Sequence, residues 1–360
     1  MALIAYIDHS FHQKTLSSAF LPNLMRRRGH TVDIFWDHAW EGGEAVPLDG
    51  LADYDALILF QATGKFSGWL CKAHRNITFA PMLDGCGITT GQPPSQAYWQ
   101  NFLGVKILNF SRALHYVCRV NSLVSQYYQY FQRPLPRPPA PAEGLHGFFW
   151  CRRPSDLSWD HLRQLIGDTQ FDSFHLHLVA DPGQPAPPYP TEEEIAHHNI
   201  TITTNWFADN ADFQKVQSRA NVFFAPRLEE GIGQAMLEAF SHGQCVVAPD
   251  NGTMNEYIVH GSNGLLYNPD SLKPLSFKKA VTLGRWGWES AAIGYERWVA
   301  AEQRLEEYIL MSSRSCYDQE AIPVVFPWLE CIRRHPLVQQ CKPILRPLYR
   351  FLKRGLQIRW

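Results

Sequence analysis

The feature that most constrains the fold is an alternation of short apolar runs with segments of helical spacing. Runs such as Ala2–Ile7, Ala56–Phe60 and Val222–Ala225 have the length of buried strands and are too short for helices. Strands that alternate with helices predict parallel sheets that are covered by helices on both faces. The sequence therefore predicts an α/β protein with doubly wound, Rossmann-like architecture.

A proline-rich segment, residues 131–147 (FQRPLPRPPAPAEGLHG), divides this alternation into two halves. Dense proline without periodicity is typical of a semi-rigid linker. We therefore predict a first domain at residues 1–130, a second domain at residues 148–311 and a C-terminal segment at residues 312–360. Two such domains leave a central cleft between the carboxyl ends of their strands, where open α/β sheets bind ligands.

The composition argues against several classes of protein. Hydrophobic residues make up 45% of the 360 residues, so the chain can form sizeable cores. The eight cysteines are scattered without a C-x-x-C pair, which favours reduced thiols in a cytosolic protein over a disulfide framework or a zinc site. No apolar run reaches the length that crosses a bilayer, and Met1–Ile7 predicts a first strand rather than a signal peptide. We expect a cytoplasmic protein.

The charge is unevenly distributed along the chain. The net charge is −1, yet residues 331–360 contain eight Lys or Arg and no acidic residue, so the rest of the chain is acidic. Leu348–Trp360 (LYRFLKRGLQIRW) has an apolar and a basic side on a helical wheel. This pattern predicts binding to an anionic membrane surface, peripheral to the inner face of the cell membrane, and no general nucleic-acid binding. The alternative is a tail that packs on the acidic body of the protein or on a partner.

The segment most informative about chemistry is residues 222–268. The predicted strand Val222–Ala225 is followed by a loop, by a turn at Gly231–Gly233 and by a helix at Gln234–His242. The start of a helix has unpaired N–H groups and the positive end of the helix dipole, and glycine lets an anion approach the backbone closely. The pattern predicts a site for the diphosphate of a ligand.

Two glutamates flank this turn. Glu230 precedes it, and Glu238 follows eight residues later within the predicted helix. One carboxylate can reach a sugar on the far side of the diphosphate, and the other can accept hydrogen bonds from a ribose diol. The alternative is an ordinary turn with two solvated glutamates, and the length of the ordered context favours the binding site over it.

The run PRLEEGIGQAMLEAFSHGQCVVAPDNGTMNEYIVHGSNGLLYNPD resembles the donor-site signature of the retaining glycosyltransferases of family four (glycosyl transferases group 1). The matching parts are a glycine turn, a Leu-Glu-Ala helix, a single glycine, a Val-Val-Ala strand, a glutamate and a final Gly-Leu-Leu sequence. In this chain they are Glu230–Gly233, Leu237–Ala239, Gly243, Val246–Ala248, Glu256 and Gly264–Leu266. The rest of the chain resembles the family in architecture only.

The resemblance implies a GT-B fold, a UDP- or GDP-linked sugar as donor, no metal or other cofactor, and retention at the anomeric carbon. It implies a catalytic contact of Glu230 with the donor sugar and a contact of Glu238 with the ribose. The donor would face the backbone of four residues: Gly231, Ile232, Gly233 and Gln234. Together with the basic tail, the resemblance favours a glycan or lipid-linked acceptor, as in the synthesis of cell-surface polysaccharide or lipopolysaccharide.

Two places depart from the family pattern. The family often has an Arg followed by a Lys after the first strand of the second domain, whereas this chain has Arg152 and Arg153 without the Lys. Either of them, or Arg227, can hold a diphosphate through two hydrogen bonds, and surface arginines are the alternative. The family often has His-Asp after the fourth strand, whereas only Asp84 is present here. Asp84 can orient an acceptor hydroxyl or the donor sugar, or it can cap a turn.

The loop after the first strand supplies two further candidates, His12 and Lys14. In this architecture the loop enters the cleft, where they can contact the acceptor or a phosphate. The alternative is a solvated loop in which Thr15 is the N-cap of a helix at Leu16–Arg28.

The leading functional hypothesis is therefore a hexosyl or other glycosyl transfer. Two alternatives stay open: another GT-B enzyme, such as a sugar-nucleotide epimerase, and a non-catalytic scaffold that binds a nucleotide sugar or a glycan. The scaffold hypothesis is retained because this chain lacks the His and the Lys that the family often has.

Overall fold

The structure is a computed structural model, and it describes residues 1–61, 74–86, 94–137, 143–207 and 209–319. The predicted basic tail, Leu348–Trp360, lies outside the described residues, as does part of the predicted linker, residues 138–142.

The first half of the chain contains a six-stranded parallel sheet with the order β2-β1-β3-β4-β5-β6. The strands β3 and β4 are buried along their whole length, as expected for a parallel sheet with both faces covered. The strands are β1 (Leu3–His9), β2 (Thr31–Asp37), β3 (Ala56–Phe60), β4 (Ile77–Ala80), β5 (Lys106–Asn109) and β6 (Ser125–Tyr127).

The second half contains another six-stranded parallel sheet with the order β12-β11-β10-β7-β8-β9. Its first strand, β7, begins at His146, inside the segment that the sequence assigns to the linker. The strands are β7 (His146–Trp150), β8 (Ser173–His177), β9 (Ile200–Thr203), β10 (Val222–Phe224), β11 (Cys245–Pro249) and β12 (Leu265–Tyr267). The predicted architecture of two doubly wound α/β sheets is confirmed.

Helices lie between the strands of both sheets, and the last two helices follow the final strand. They are α1 (Phe11–Thr15), α2 (Phe20–Arg27), α3 (Gln96–Gln100), α4 (Arg112–Val120), α5 (Trp159–Ile166), α6 (Glu192–His197), α7 (Asn210–Gln217), α8 (Gln234–Ser241), α9 (Ala280–Leu310) and α10 (Ser313–Gln319). The predicted helix at Leu16–Arg28 is shorter, because Leu16 has a φ of 54° and ends α1. Thr15 is therefore the last residue of α1, and the prediction that it caps the next helix is wrong. The N-cap of α2 is Ala19.

The long helix α9 packs on both sheets. Near its start, a Cβ atom added to Gly284 would lie 2.2 Å from the carbonyl oxygen of Gly243, so only glycine permits this approach to the backbone before β11. Near its end, the Tyr308 hydroxyl donates to the Ile107 carbonyl oxygen of β5 at 3.0 Å. The helix thereby ties the two sheets together and helps to set the width of the cleft between them.

A buried lysine holds the C-terminal end of α9. The Nζ atom of Lys106, in β5, donates to the carbonyl oxygens of Tyr308, Ile309 and Met311 at 2.6, 2.8 and 2.5 Å. The last carbonyls of a helix have no partner within the helix, so Lys106 satisfies groups that would otherwise be buried and unpaired. Burial lowers the pKa of Lys106 to about 7.

We expect Lys106→Met to lower the free energy of unfolding by about 2–4 kcal/mol, because it leaves these carbonyl oxygens unpaired in a buried place. Urea unfolding followed by circular dichroism measures the effect. Lys273 is exposed, and Lys273→Met is the control, with an expected change within about 0.5 kcal/mol. Equal stability of the two variants would show that Lys106 does not anchor α9.

Candidate active site

The helix α8 begins without a side-chain cap. Its N-cap is Gly233, which has a φ of 77°, and the first turn contains no acidic residue. The backbone N–H groups of the first turn therefore have no partner from within the helix and no cap from a side chain. The predicted start of the helix at Gln234 is confirmed. These N–H groups and the dipole of α8 can bind an anion at this end.

The turn before α8 faces the first half of the chain. A Cβ atom added to Gly231 would lie 2.6 Å from Met82 Sδ, and Gln234 Nε2 donates to the Ser17 carbonyl oxygen at 3.0 Å. Gly231, Ile232 and Gly233 are all buried. The turn thus lies at the gap between the two sheets, as predicted, but Met82 covers Gly231. A ligand that reaches this glycine requires Met82 to move.

Arg227 binds one carboxylate from each half of the chain. Its Nη1 lies 3.0 Å from Asp84 Oδ2, and its Nη2 lies 2.6 Å from Asp181 Oδ2. Asp181 also accepts a hydrogen bond from Arg152 Nε at 2.8 Å, and Arg153 Nε lies 3.9 Å from it. The structure therefore brings Asp84 and all three candidate arginines together around Asp181.

Asp181 was missed by the sequence reasoning. It follows β8, so it lies at the carboxyl edge of the second sheet, like Arg152 after β7 and Arg227 after β10. That position was a usable signal, because polar residues that follow parallel strands converge at one edge.

Glu230 lies beside this cluster and is partly buried. Burial raises the pKa of its carboxyl group, Arg227 lowers it, and Asp84 raises it. Burial lowers the pKa of Arg227, but Glu230, Asp84 and Asp181 together raise it above its ordinary value. Arg227 therefore stays charged, and it is the group that most favours the ionised form of Glu230.

Glu238, in α8, is a partly buried carboxyl group, and burial raises its pKa to about 7. Within the residues that the structure describes, no group donates a hydrogen bond to its carboxylate. Its charge is close enough to Tyr130 to raise the pKa of that hydroxyl. A partly buried acid without a partner costs free energy, so such a group is a candidate for ligand binding.

The loop candidates His12 and Lys14 also lie at the gap. The His12 Nδ1 atom lies 2.7 Å from Asp8 Oδ1, and Lys14 Nζ lies 4.2 Å from the centre of the Trp206 ring in the second half. Trp206 follows β9 and packs on Trp150. Sequence reasoning did not find Asp8 as the partner of His12, although the spacing of four residues is the usual one for such a pair.

Three possible metal ligands, Asp8, His9 and His12, have ligand atoms within 4.8 Å of one another. However, the Asp8 carboxylate already accepts hydrogen bonds from the His9 N–H at 2.8 Å, from His12 and from the Ser18 hydroxyl. Hydrogen bonding therefore accounts for this cluster. The absence of a metal stays a prediction.

Glu256 is one of the residues that match the family signature, and the structure places it against the first half of the chain. Its carboxylate accepts hydrogen bonds from the Arg112 N–H at 2.7 Å, the Ser111 hydroxyl at 3.0 Å and the Tyr127 hydroxyl at 3.0 Å. It thus supplies the negative charge at the start of α4. These contacts tie the second half of the chain to the first.

The second half of the chain matches a known family model. Residues 155–282 match the family described as "Glycosyl transferases group 1". These residues, called the group 1 domain below after this match, are similar to that family. The resemblance that the sequence suggested is thereby confirmed, and the group 1 domain contains β8 to β12, the glycine turn and α8. A search of curated proteins finds no match.

Similar solved structures identify the fold of the chain as a whole. Sucrose-phosphate synthase from Thermosynechococcus elongatus has a TM-score of 0.61 at 14% identity, over 85% of this chain and 98% of that one. HepE from Anabaena, in complex with UDP-glucose, has a TM-score of 0.56 at 14% identity, over 85% and 99% of the two chains. A glycosyltransferase from Rickettsia africae has a TM-score of 0.58 at 13% identity, over 86% and 98%. The chain has the GT-B fold.

Proposed function

We propose that the protein is a retaining glycosyltransferase that moves a hexosyl or related sugar from a nucleotide donor to a glycan or lipid-linked acceptor. The observation that carries the proposal is the uncapped start of α8 behind a glycine turn, with Arg227 and Glu230 beside it in a group 1 domain. The structure of HepE with UDP-glucose supports a nucleotide sugar as the donor.

The donor is proposed to bind with its diphosphate at the first turn of α8. Arg227, Arg152 and Arg153 supply the positive charge, because guanidinium groups bind phosphates through paired hydrogen bonds. In the structure these arginines contact Asp181 and Asp84, so a diphosphate has to replace carboxylates as their partner. UDP- and GDP-sugars both fit this proposal, and it requires no metal.

The proposed reaction is a front-face transfer. The oxygen of an acceptor hydroxyl bonds to the anomeric carbon on the face that the diphosphate leaves. The bond from that carbon to the diphosphate oxygen breaks, and the diphosphate departs with the electron pair and takes the hydroxyl proton. Arg227 and the start of α8 stabilise the negative charge as it develops. Glu230 contacts the donor sugar, and Asp84 orients the sugar or the acceptor.

The ionisation of Glu238 gives the proposal a pH dependence. Only the ionised carboxylate accepts hydrogen bonds from both ribose hydroxyls, and burial raises its pKa to about 7. The affinity for a nucleoside diphosphate should therefore be higher at about pH 8 than at about pH 6. Calorimetric titration of the wild type and Glu238→Gln measures it, and the variant should lack this rise. An equal rise in both would exclude Glu238 as its source.

The acceptor is proposed to be lipid-linked, in the assembly of cell-surface polysaccharide such as lipopolysaccharide, at the inner face of the membrane. No helix in the described ranges is long and apolar enough to cross a bilayer. The proposed membrane contact is the basic segment Leu348–Trp360, because basic residues attract anionic headgroups.

Deletion of Leu348–Trp360 should abolish flotation of the protein with vesicles that contain anionic lipids, because it removes the basic residues that attract their headgroups. Neutral vesicles are the control and should bind neither form. Unchanged flotation of the truncated protein would contradict the membrane role of this segment.

A single assay separates the proposal from its alternatives. The protein is incubated with radiolabelled UDP- and GDP-sugars, with and without a lipid-linked acceptor, and the product is analysed for its anomeric configuration. Transfer with retention supports the proposal. Binding without turnover identifies the non-catalytic scaffold, and conversion of the donor to another nucleotide sugar identifies the epimerase.

A further inference from the structure

The loop after β1 and the segment after β2 form a cluster of polar and aromatic groups at the gap. The His9 and His12 rings lie 4.0 Å apart, and the Trp40 ring lies 5.7 Å from that of His9. Phe11 packs against Trp40 at 5.8 Å. None of these contacts has a role in the donor site described above.

The cluster lies between two contacts that cross the gap. On one side, Lys14 of the same loop contacts Trp206. On the other side, Asp84 is close enough to His9 to affect its pKa, and Asp84 itself binds Arg227. The cluster is therefore adjacent to the proposed sugar end of the donor, on the first half of the chain.

The hydrogen bonds of Asp8 fix the state of His12. Asp8 accepts from the His9 N–H and from the Ser18 hydroxyl, and an ionised carboxylate can only accept. The Nδ1 atom of His12 therefore carries the hydrogen that it shares with Asp8 Oδ1, and in this tautomer the lone pair is on Nε2. Among the described residues, no group hydrogen-bonds to Nε2.

Trp40 supplies an exposed aromatic face beside His9, whose ring lies between those of Trp40 and His12 in the cluster. The residue is 47% exposed, and its indole N–H donates to the Ser10 hydroxyl at 2.8 Å, which holds the ring in place. An aromatic face beside a small number of fixed polar groups is the usual composition of a site for a ligand with both apolar and hydroxyl surfaces. The C–H face of a pyranose ring and its hydroxyl groups have this character.

We propose that His12, held by Asp8, accepts the hydrogen bond of the attacking hydroxyl and orients it, while the acceptor sugar stacks on Trp40. This inference rests on the proposed function, and it assigns the acceptor as a carbohydrate. Asp8 is a positioning residue, because it acts through His12. The proton is still transferred to the departing diphosphate, so the reaction remains balanced as described.

The test uses the full-length protein, with the donor and a glycan acceptor that support transfer in the wild type. His12→Phe keeps a ring against Phe60 but removes the lone pair, and we expect it to lower kcat/KM for the acceptor about tenfold or more. Trp40→Ala should raise the acceptor KM with a smaller change in kcat, and Trp40→Phe should restore most of the affinity. The exposed His197, replaced in His197→Gln, is the control and should leave all values unchanged.

Donor binding in the same variants decides between the possible roles. We expect the Kd of the nucleoside diphosphate and the hydrolysis of the donor by water to be unchanged in His12→Phe. Asp8→Asn should reproduce the acceptor defect, again without a change in donor Kd.

Wild-type acceptor kinetics in His12→Phe, or a parallel loss of donor binding, would overturn this inference and leave the glycosyltransferase proposal intact. A wild type that binds no nucleotide sugar would overturn the glycosyltransferase proposal, and this inference with it.

Discussion

Replacing Arg227 by alanine should lower the rate of sugar transfer at saturating donor by about 10²- to 10³-fold, the effect typical of losing a group that stabilises developing negative charge. The reason is its position, between Asp84 and Asp181 and beside Glu230. Steady-state kinetics with a UDP- or GDP-sugar measures the loss. Arg163 also pairs with two carboxylates but is exposed, so Arg163→Ala is the control, with an expected change below about twofold.

The variant Arg227→Lys shows whether a loss of activity in Arg227→Ala results from misfolding. Removal of Arg227 leaves Asp84 without its partner and Asp181 with Arg152 as its remaining hydrogen-bond donor, and an unpaired carboxylate can cost about 3–5 kcal/mol in a buried place. Lysine keeps the charge but has no fork of donors to span both carboxylates. We expect Arg227→Lys to fold and to retain a minor part of the activity. Wild-type activity in Arg227→Ala would show that Arg227 does not act on the diphosphate.

Replacing Glu238 by alanine should lower kcat/KM for the donor by about 100-fold, because two hydrogen bonds to a charged group are lost. The change should leave the fold intact, since no described group donates to its carboxylate. Glu296 is exposed on α9, and Glu296→Ala is the control. Unchanged donor kinetics in Glu238→Ala would remove this residue from the donor site.

The same carboxyl group should destabilise the folded protein at high pH. Its folded pKa is raised from 4.5 to about 7, so the unfolded state releases the proton first, and stability falls as the pH rises through this window. Glu238→Gln should therefore exceed the wild type in free energy of unfolding by about 2 kcal/mol at pH 8, but not at pH 4. Thermal unfolding at both pH values measures it, and equal stability at pH 8 would contradict the raised pKa.

The sequence predicted those parts of the donor site that depend on neighbouring residues. The strand at Val222, the turn at Gly231–Gly233 and the helix from Gln234 are specified by apolar runs and glycines within one short segment. Periodicity and turn chemistry act over such distances, so they could be recognised without coordinates.

The contacts that cross the gap could not be predicted in this way. Met82 covers Gly231, Glu256 binds the start of α4, and Arg227 binds Asp84, although each pair is far apart in sequence. These contacts depend on how the two sheets are placed, and α9 helps to set that placement. No local pattern in the sequence indicates that Gly284 and Lys106 contact the backbone at the two ends of this packing.

A crystal structure of the protein with UDP or GDP tests the assignment of the donor site. We expect the diphosphate within hydrogen-bond distance of the N–H groups in the first turn of α8, in contact with Arg227, and Met82 displaced from Gly231. A nucleotide bound away from this turn, with Met82 still on Gly231, would contradict the central claim.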